Sequence, residues 1–184
     1  MCTATWLRQE SGYRVLFNRD EARTRPAASA PEVRPGGGVR SLAPRDAEAG
    51  GTWLAANELG LTVGLLNLYR GPMPVEGDFI SRGHLVAAMA IASTPEEIGH
   101  RLAAADLSAY RPFTLFAVVR QPPTGVWDWD GTELSSRDDG DRLPLTSSAL
   151  EDRAAGRSRA ELLARMRRQG PLTAERLLAF HRSH

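Results

Sequence analysis

The sequence predicts an α+β fold in which two antiparallel sheets pack together with helices outside. Three observations carry this. Apolar, β-prone runs come in pairs joined by turn residues, at 2–17, 52–69 and 126–136. Helix signals also come in pairs, over 81–105 and 157–181. The resulting order is strands, two helices, strands, two helices, and that segregation argues against alternating βαβ units.

Residues 2–7 hold Thr3, Thr5, Trp6 and Leu7, which suit a strand. Residues 8–12 are polar and end in Gly12, a turn signal. Residues 13–17 are apolar again apart from Arg14. This predicts a hairpin. A turn at 10–12 sets Cys2 opposite a position between Arg19 and Glu21. Residues 22–50 are rich in Ala, Pro, Gly and Arg without periodicity, and predict a long loop with one short strand near 39–42. After Gly50 and Gly51, strands over 52–57 and 61–69 form a second hairpin across Glu58, Leu59 and Gly60. Residues 70–77 contain two prolines and two glycines and form a loop.

Ser81 is placed to cap a buried helix over 84–92. Thr94 caps the next helix, which runs to 105, with Pro95 at its first position and Glu96 and Glu97 in its first turn. Proline loses nothing there, and acidic groups suit the positive end of the helix dipole. The apolar run 113–119 reads as a strand buried on both faces. Strands over 126–129 and 132–136 flank Asp130-Gly131, a hairpin signal. A polar turn at 138–141 precedes a final strand over 143–147. Ala160, Leu163 and Met166 recur at helical spacing over 157–169, Gly170 and Pro171 stop that helix, and 173–181 form the last one.

A chain of 184 residues suits one domain, 1–184. Its 42% hydrophobic and 24% charged content is that of a globular protein. A net charge of +1 gives no drive towards nucleic acid or anionic membrane. All 23 basic residues are arginine, which with the many alanines suits GC-rich bacterial coding. No apolar run reaches the roughly 20 residues of a membrane span. No basic-then-apolar leader opens the chain, so the expected location is the cytoplasm. One cysteine excludes an internal disulfide and a cysteine-based metal site, and the four histidines have no ligand spacing, so no metal or other cofactor is expected.

The chemistry gathers at the start of the chain. Methionine is readily clipped before a small residue, and that would make Cys2 the first residue. A free α-amine has a pKa near 8, so part of it is neutral at physiological pH and can take the thiol proton. Arg19 would favour the thiolate, and Asp20 would orient the amine. The alternative is a small apolar residue tucked into the first strand. Asn67, after an apolar strand, is either an oxyanion donor or a turn residue satisfying its own backbone. Asn18 holds a ligand or a loop, and Glu21 pairs with Arg23 or Arg25. His84, in a first helical turn, faces solvent or caps. Trp127 and Trp129 share a strand face and pack in the core or an interface. The arginines over 157–168 form a solvated face.

Six ordered blocks carry a resemblance: Met1-Cys2-Thr3, Asn18-Arg19-Asp20-Glu21, Thr24-Arg25-Pro26, Gly50-Gly51-Thr52-Trp53-Leu54, Leu66-Asn67-Leu68-Tyr69-Arg70 and Ser81-Arg82-Gly83-His84-Leu85. Together they resemble the NRDE family, which includes transport and Golgi organisation protein 2. Beyond residue 92 the likeness is loose. The resemblance implies a four-layer αββα sandwich like that of the N-terminal nucleophile hydrolases. It is similar to their cysteine branch, which contains bile salt hydrolases and penicillin V acylases. On that likeness Cys2 is the nucleophile, Arg19 and Asp20 the second-strand pair, and Asn67 the oxyanion asparagine. A later asparagine of the branch falls at Ser147, and Arg153 is a candidate for its late arginine. The implied activity is cleavage of a small non-peptide amide or acyl bond. The other implied reading is a non-enzymatic protein that binds or carries haem or an acyl lipid.

Overall fold

The computed structural model describes residues 2–69, 79–137, 142–147 and 153–183, and the fold over them is α+β. Two antiparallel sheets and four α-helices make it up among the described residues.

The first hairpin forms as expected. Strand β1 (Thr3–Gln9) pairs with β2 (Gly12–Asn18), and Gln9 faces Gly12 across a turn of Glu10 and Ser11. The register closes with Thr3 opposite Asn18, so Cys2 and Arg19 leave the hairpin side by side. The last strand, β10 (Leu145–Thr146), pairs with the other edge of β1, with Thr3 opposite Thr146. The small sheet is therefore β10-β1-β2.

The large sheet runs in chain order: β3 (Glu32–Gly36), β4 (Val39–Ala43), β5 (Leu54–Asn57), β6 (Thr62–Asn67), β7 (Phe113–Val118), β8 (Gly125–Trp129) and β9 (Leu134–Ser136). Helices α1 (Arg82–Met89) and α2 (Pro95–Ala104) lie between β6 and β7 in sequence, and α3 (Arg153–Arg168) and α4 (Ala174–Arg182) follow β10. Ser81, Thr94 and Thr173 cap α1, α2 and α4 by accepting backbone N–H groups.

Strand alternation sorts the core into three apolar layers. Ala4 and Trp6 of β1 and Val15 and Phe17 of β2 meet Leu66, Phe116 and Val126 of the large sheet. Trp6 and Phe17 both stack on Phe116. The opposite face of the large sheet, including Val63, Leu115, Trp127 and Trp129, packs against Val86, Met89, Ile98 and Leu102 of α1 and α2. The opposite face of the small sheet gives Leu7 and Leu16 to Leu163, Leu177 and Phe180 of α3 and α4. The packing order is α3 and α4, small sheet, large sheet, α1 and α2.

Several boundaries differ from expectation, and α1 spans Arg82–Met89 rather than 84–92. Residues 22–50 contain a hairpin, β3-β4, rather than one short strand. Gly37 and Gly38, at φ +53° and +80°, supply its two-residue turn. Strand β5 begins at Leu54, two residues late, because Thr52 packs against α1 instead. Helix α3 begins at Arg153, four residues early. The loop expected at 70–77 and the polar turn at 138–141 lie outside the described residues.

Candidate functional site

A cleft of about 450 Å³ opens where β1 begins and β2 ends, and Cys2, Asp20, Trp53, Asn67, Tyr69 and Arg82 line it. The hairpin delivers Cys2 to it. The Cys2 N–H donates to Ser147 Oγ at 2.9 Å, and the Ser147 N–H donates back to the Cys2 carbonyl at 3.0 Å. Ser147 reaches this place as the residue after β10, whose pairing with β1 fixes it. The Asp20 N–H donates to Cys2 Sγ at 3.4 Å, and Sγ lies 3.7 Å from the Asp20 carbonyl oxygen. It is the main chain of Asp20 that touches the thiol. Burial pushes the Cys2 thiol above its ordinary value; the Asp20 N–H opposes this, while the charges of Asp20 and Glu21 add to it.

Arg19 lines the same cleft as Cys2. Its Nη2 lies 2.6 Å from Asp46 Oδ2 and 2.8 Å from Glu21 Oε2, and its guanidinium stacks 4.2 Å above the Trp53 ring. Two carboxylates and an aromatic face hold it in the cleft wall. Asp46, to which the sequence pattern assigns no role, organises that wall. Its Oδ1 accepts the Glu48 and Ala49 N–H groups at 3.0 Å each, and its Oδ2 also accepts from Arg25 at 3.0 Å. Burial pushes the Asp46 carboxyl up, but the Ala49 and Glu48 donors and the Arg25 charge outweigh it and hold it below the usual range. Glu21 pairs with Arg25 as well, at 3.4 Å.

Asn67 closes β6 at the cleft, and its Nδ2 donates to the Tyr69 hydroxyl at 2.9 Å. An amide nitrogen has two hydrogens, and this bond uses one of them. Arg82, the first residue of α1, donates through Nη1 to the Pro112 carbonyl at 2.8 Å. Burial pushes its guanidinium below its ordinary value, Tyr69 and Cys2 oppose that, and Arg111 adds to it. Arg82 falls within one of the six blocks, but nothing in its local sequence gives it a role.

The glycines of two blocks are explained by a backbone contact. A Cβ on Gly51 would lie 2.6 Å from the Gly83 carbonyl carbon, and one on Gly83 would lie 2.8 Å from Thr52 N. The Thr52 N–H donates to the Gly83 carbonyl at 3.1 Å. Only paired glycines let the 51–53 segment and the start of α1 approach this closely, and that approach sets Trp53 and Arg82 on the cleft.

Two of the remaining expected residues, Asn18 and His84, do not line the cleft. Asn18 faces the other side of the small sheet, donating from Nδ2 to the His181 carbonyl at 2.8 Å, with Oδ1 2.8 Å from His181 Nδ1. On the other ring nitrogen, His181 Nε2 lies 2.8 Å from Thr5 Oγ1. Asn18 thus fastens α4 to the small sheet. Arg153 opens α3, and its side chain lies outside the described residues. Arg159 of α3 is buried 3.9 Å over Phe180, and its Nε and Nη2 have no hydrogen-bond partner among the described residues. Burial pushes its guanidinium below its ordinary value, and the charge of Asp20 partly offsets this. The exposed His84 heads into solvent. No group of three or more His, Cys, Asp or Glu that could hold a metal occurs among the described residues. No described helix is long and apolar enough to cross a membrane.

Among known proteins, the model of one family, Transport and Golgi organisation 2, matches residues 1–138. No curated protein matches the chain. The matched region ends before β10, so it holds Cys2, Asp46, Asn67 and Arg82 but not Ser147 or Arg159.

Proposed function

The chain belongs to the Transport and Golgi organisation 2 family, and from that premise we propose that it is an N-terminal nucleophile hydrolase acting on a small non-peptide amide. The observation that carries this is the seat of Cys2: its nitrogen on Ser147 Oγ, its sulfur against the Asp20 backbone, at the floor of a cleft shared with Asn67. In this reading the packing order of helices and sheets is the αββα sandwich of such hydrolases, and residues 1–184 work as one domain.

Removal of Met1 converts the Cys2 amide nitrogen into an α-amine held by Ser147. The amine takes the thiol proton, and the thiolate attacks the substrate carbonyl carbon, forming a C–S bond. The carbonyl electrons move to oxygen, which accepts the remaining Asn67 N–H. Collapse breaks the C–N bond, and the ammonium returns its proton to the departing amine. Water then hydrolyses the thioester and restores the thiol. Arg19 and Asp46 act as a wall that positions the Asp20 backbone. Ser147 performs with a hydroxyl what an asparagine would do with an amide.

A specific observation also favours a second reading. A thiol raised by burial is a poor nucleophile at rest, and an unreactive cleft of this size would suit a carrier of haem or an acyl lipid. The two readings separate on Cys2→Ala. A panel of N-acyl amides assayed against purified chain is expected to show release of amine that Cys2→Ala abolishes. Turnover that survives Cys2→Ala excludes the hydrolase mechanism.

A further inference from the structure

The charges around the cleft are not evenly matched. Arg19 and Arg25 share Glu21, Asp46 and Glu48 at 2.6–3.4 Å. Arg82 and Arg111 have no carboxylate partner among the described residues. Arg82 donates to the Pro112 carbonyl and hydrogen-bonds Tyr69, and the exposed Arg111 lies 5.2 Å over the Phe79 ring.

The backbone holds these two arginines together. Ile80 bridges to Tyr110, and the Ile80 N–H donates to the Ala109 carbonyl at 2.9 Å. The bridge is parallel, so it sets Ser81 beside Arg111, whose side chain leans back over Phe79, and Arg82 is tied to Pro112, the residue after Arg111. A recess of about 480 Å³ lies over them, and it shares Arg25, Ser81 and Arg82 with the Cys2 cleft. Arg82 lines both spaces. Two guanidiniums that line one recess, one of them half-buried, gain from an anion that touches both. A planar, bidentate fork suits carboxylate and phosphate oxygens in particular.

We propose that this recess is an oxyanion subsite, in which Arg82 and Arg111 take a carboxylate or phosphate group of the same molecule whose acyl group reaches Cys2. The inference rests on the reading of the Cys2 cleft as the place of the reacting group. It narrows the substrate to an anionic amide, with the charged group in the recess and the carbonyl between Cys2 and Asn67. Phe79 and Trp53 offer apolar faces for whatever joins the two ends.

The test uses the full chain carrying Cys2→Ala, titrated with inorganic phosphate and separately with glutarate, with glutaramide as the neutral match. Binding is read by calorimetry. Saturable binding of phosphate or glutarate but not glutaramide is expected, weakened roughly tenfold or more by the exposed-site change Arg111→Ala. Arg82→Lys tests the second arm by keeping charge while losing the fork. Arg167→Ala, on the exposed face of α3, is expected to leave the titration unchanged. Absence of saturable binding by either anion overturns the subsite, and so does equal weakening by Arg167→Ala. Failure of the hydrolase reading shows instead as unaltered amide turnover in Cys2→Ala, a result that this titration does not produce.

Discussion

Single side chains decide how the cleft is charged. Cys2 is seated by main-chain contacts from Asp20 and Ser147, and its burial raises the thiol. Alkylation by iodoacetamide is therefore expected to rise with pH through a midpoint above that of a free cysteine. A midpoint at or below the ordinary thiol value would show that the sulfur is not desolvated as described. A raised folded value also means that the native state holds this proton more tightly, so the thiol's contribution to stability falls as pH climbs from the unfolded to the folded value. Asp46 has the opposite sign. Its carboxyl is held below the usual range, so its contribution is complete above the unfolded value near 4 and is lost as pH falls through the folded value. Asp46→Asn is expected to cost about 2 kcal/mol at pH 7 and less at pH 3, as read from urea midpoints. An equal cost at both values would mean that its charge is not what holds Arg19 and Arg25.

Elements bring those residues together, and here the glycine pair and the last helix matter most. Gly51→Ala would drive a methyl group into the Gly83 backbone, which cannot move without shifting the start of α1. A loss of about 1–3 kcal/mol is expected, with a changed Trp53 fluorescence, since Trp53 lies two residues on. His181→Ala removes its ring's contacts to β1 and β2 and strands the Asn18 amide oxygen. It is expected to cost about 2–3 kcal/mol, and a change under about 0.5 kcal/mol would deny α4 that role. The elements themselves are mostly readable in the sequence: the first hairpin from its polar turn, α2 from Thr94, Pro95 and two glutamates. Strand β3 is hidden because Pro35 sits in it and Val33 is 65% exposed, features that an edge strand tolerates and that erase its alternation. Within the site, Cys2 and Asn67 stand out by type and place. Asp46 and Arg82 do not, because their roles come from tertiary approach: Asp46 from a turn in a proline-rich stretch, Arg82 from its tie to the Pro112 carbonyl. Arg19 is recognisable as important, but its partner is not, since nothing local reveals that Asp46 reaches it.

At the scale of the molecule, the family match covers residues 1–138 and with them every residue that lines the cleft, yet the support behind Cys2 comes from beyond it. Strand β10 brings Ser147 to the Cys2 nitrogen, and α3 and α4 cover Leu7 and Leu16 on the outer face of the small sheet. A chain ended after residue 147 would expose that face, and it is expected to aggregate or lose its cooperative thermal transition. A soluble, cooperatively melting fragment would mean that the small sheet needs no helical cover. The hydrolase mechanism depends equally on the other end of the chain, since a nucleophile with its own amine requires Cys2 to be the first residue. Intact-mass analysis of the protein purified from its native host, alone and acid-quenched during turnover of an N-acyl amide, addresses this directly. A mass lacking Met1 is expected, with an acyl adduct that maps to Cys2 in the quenched sample; a retained Met1 would contradict the mechanism.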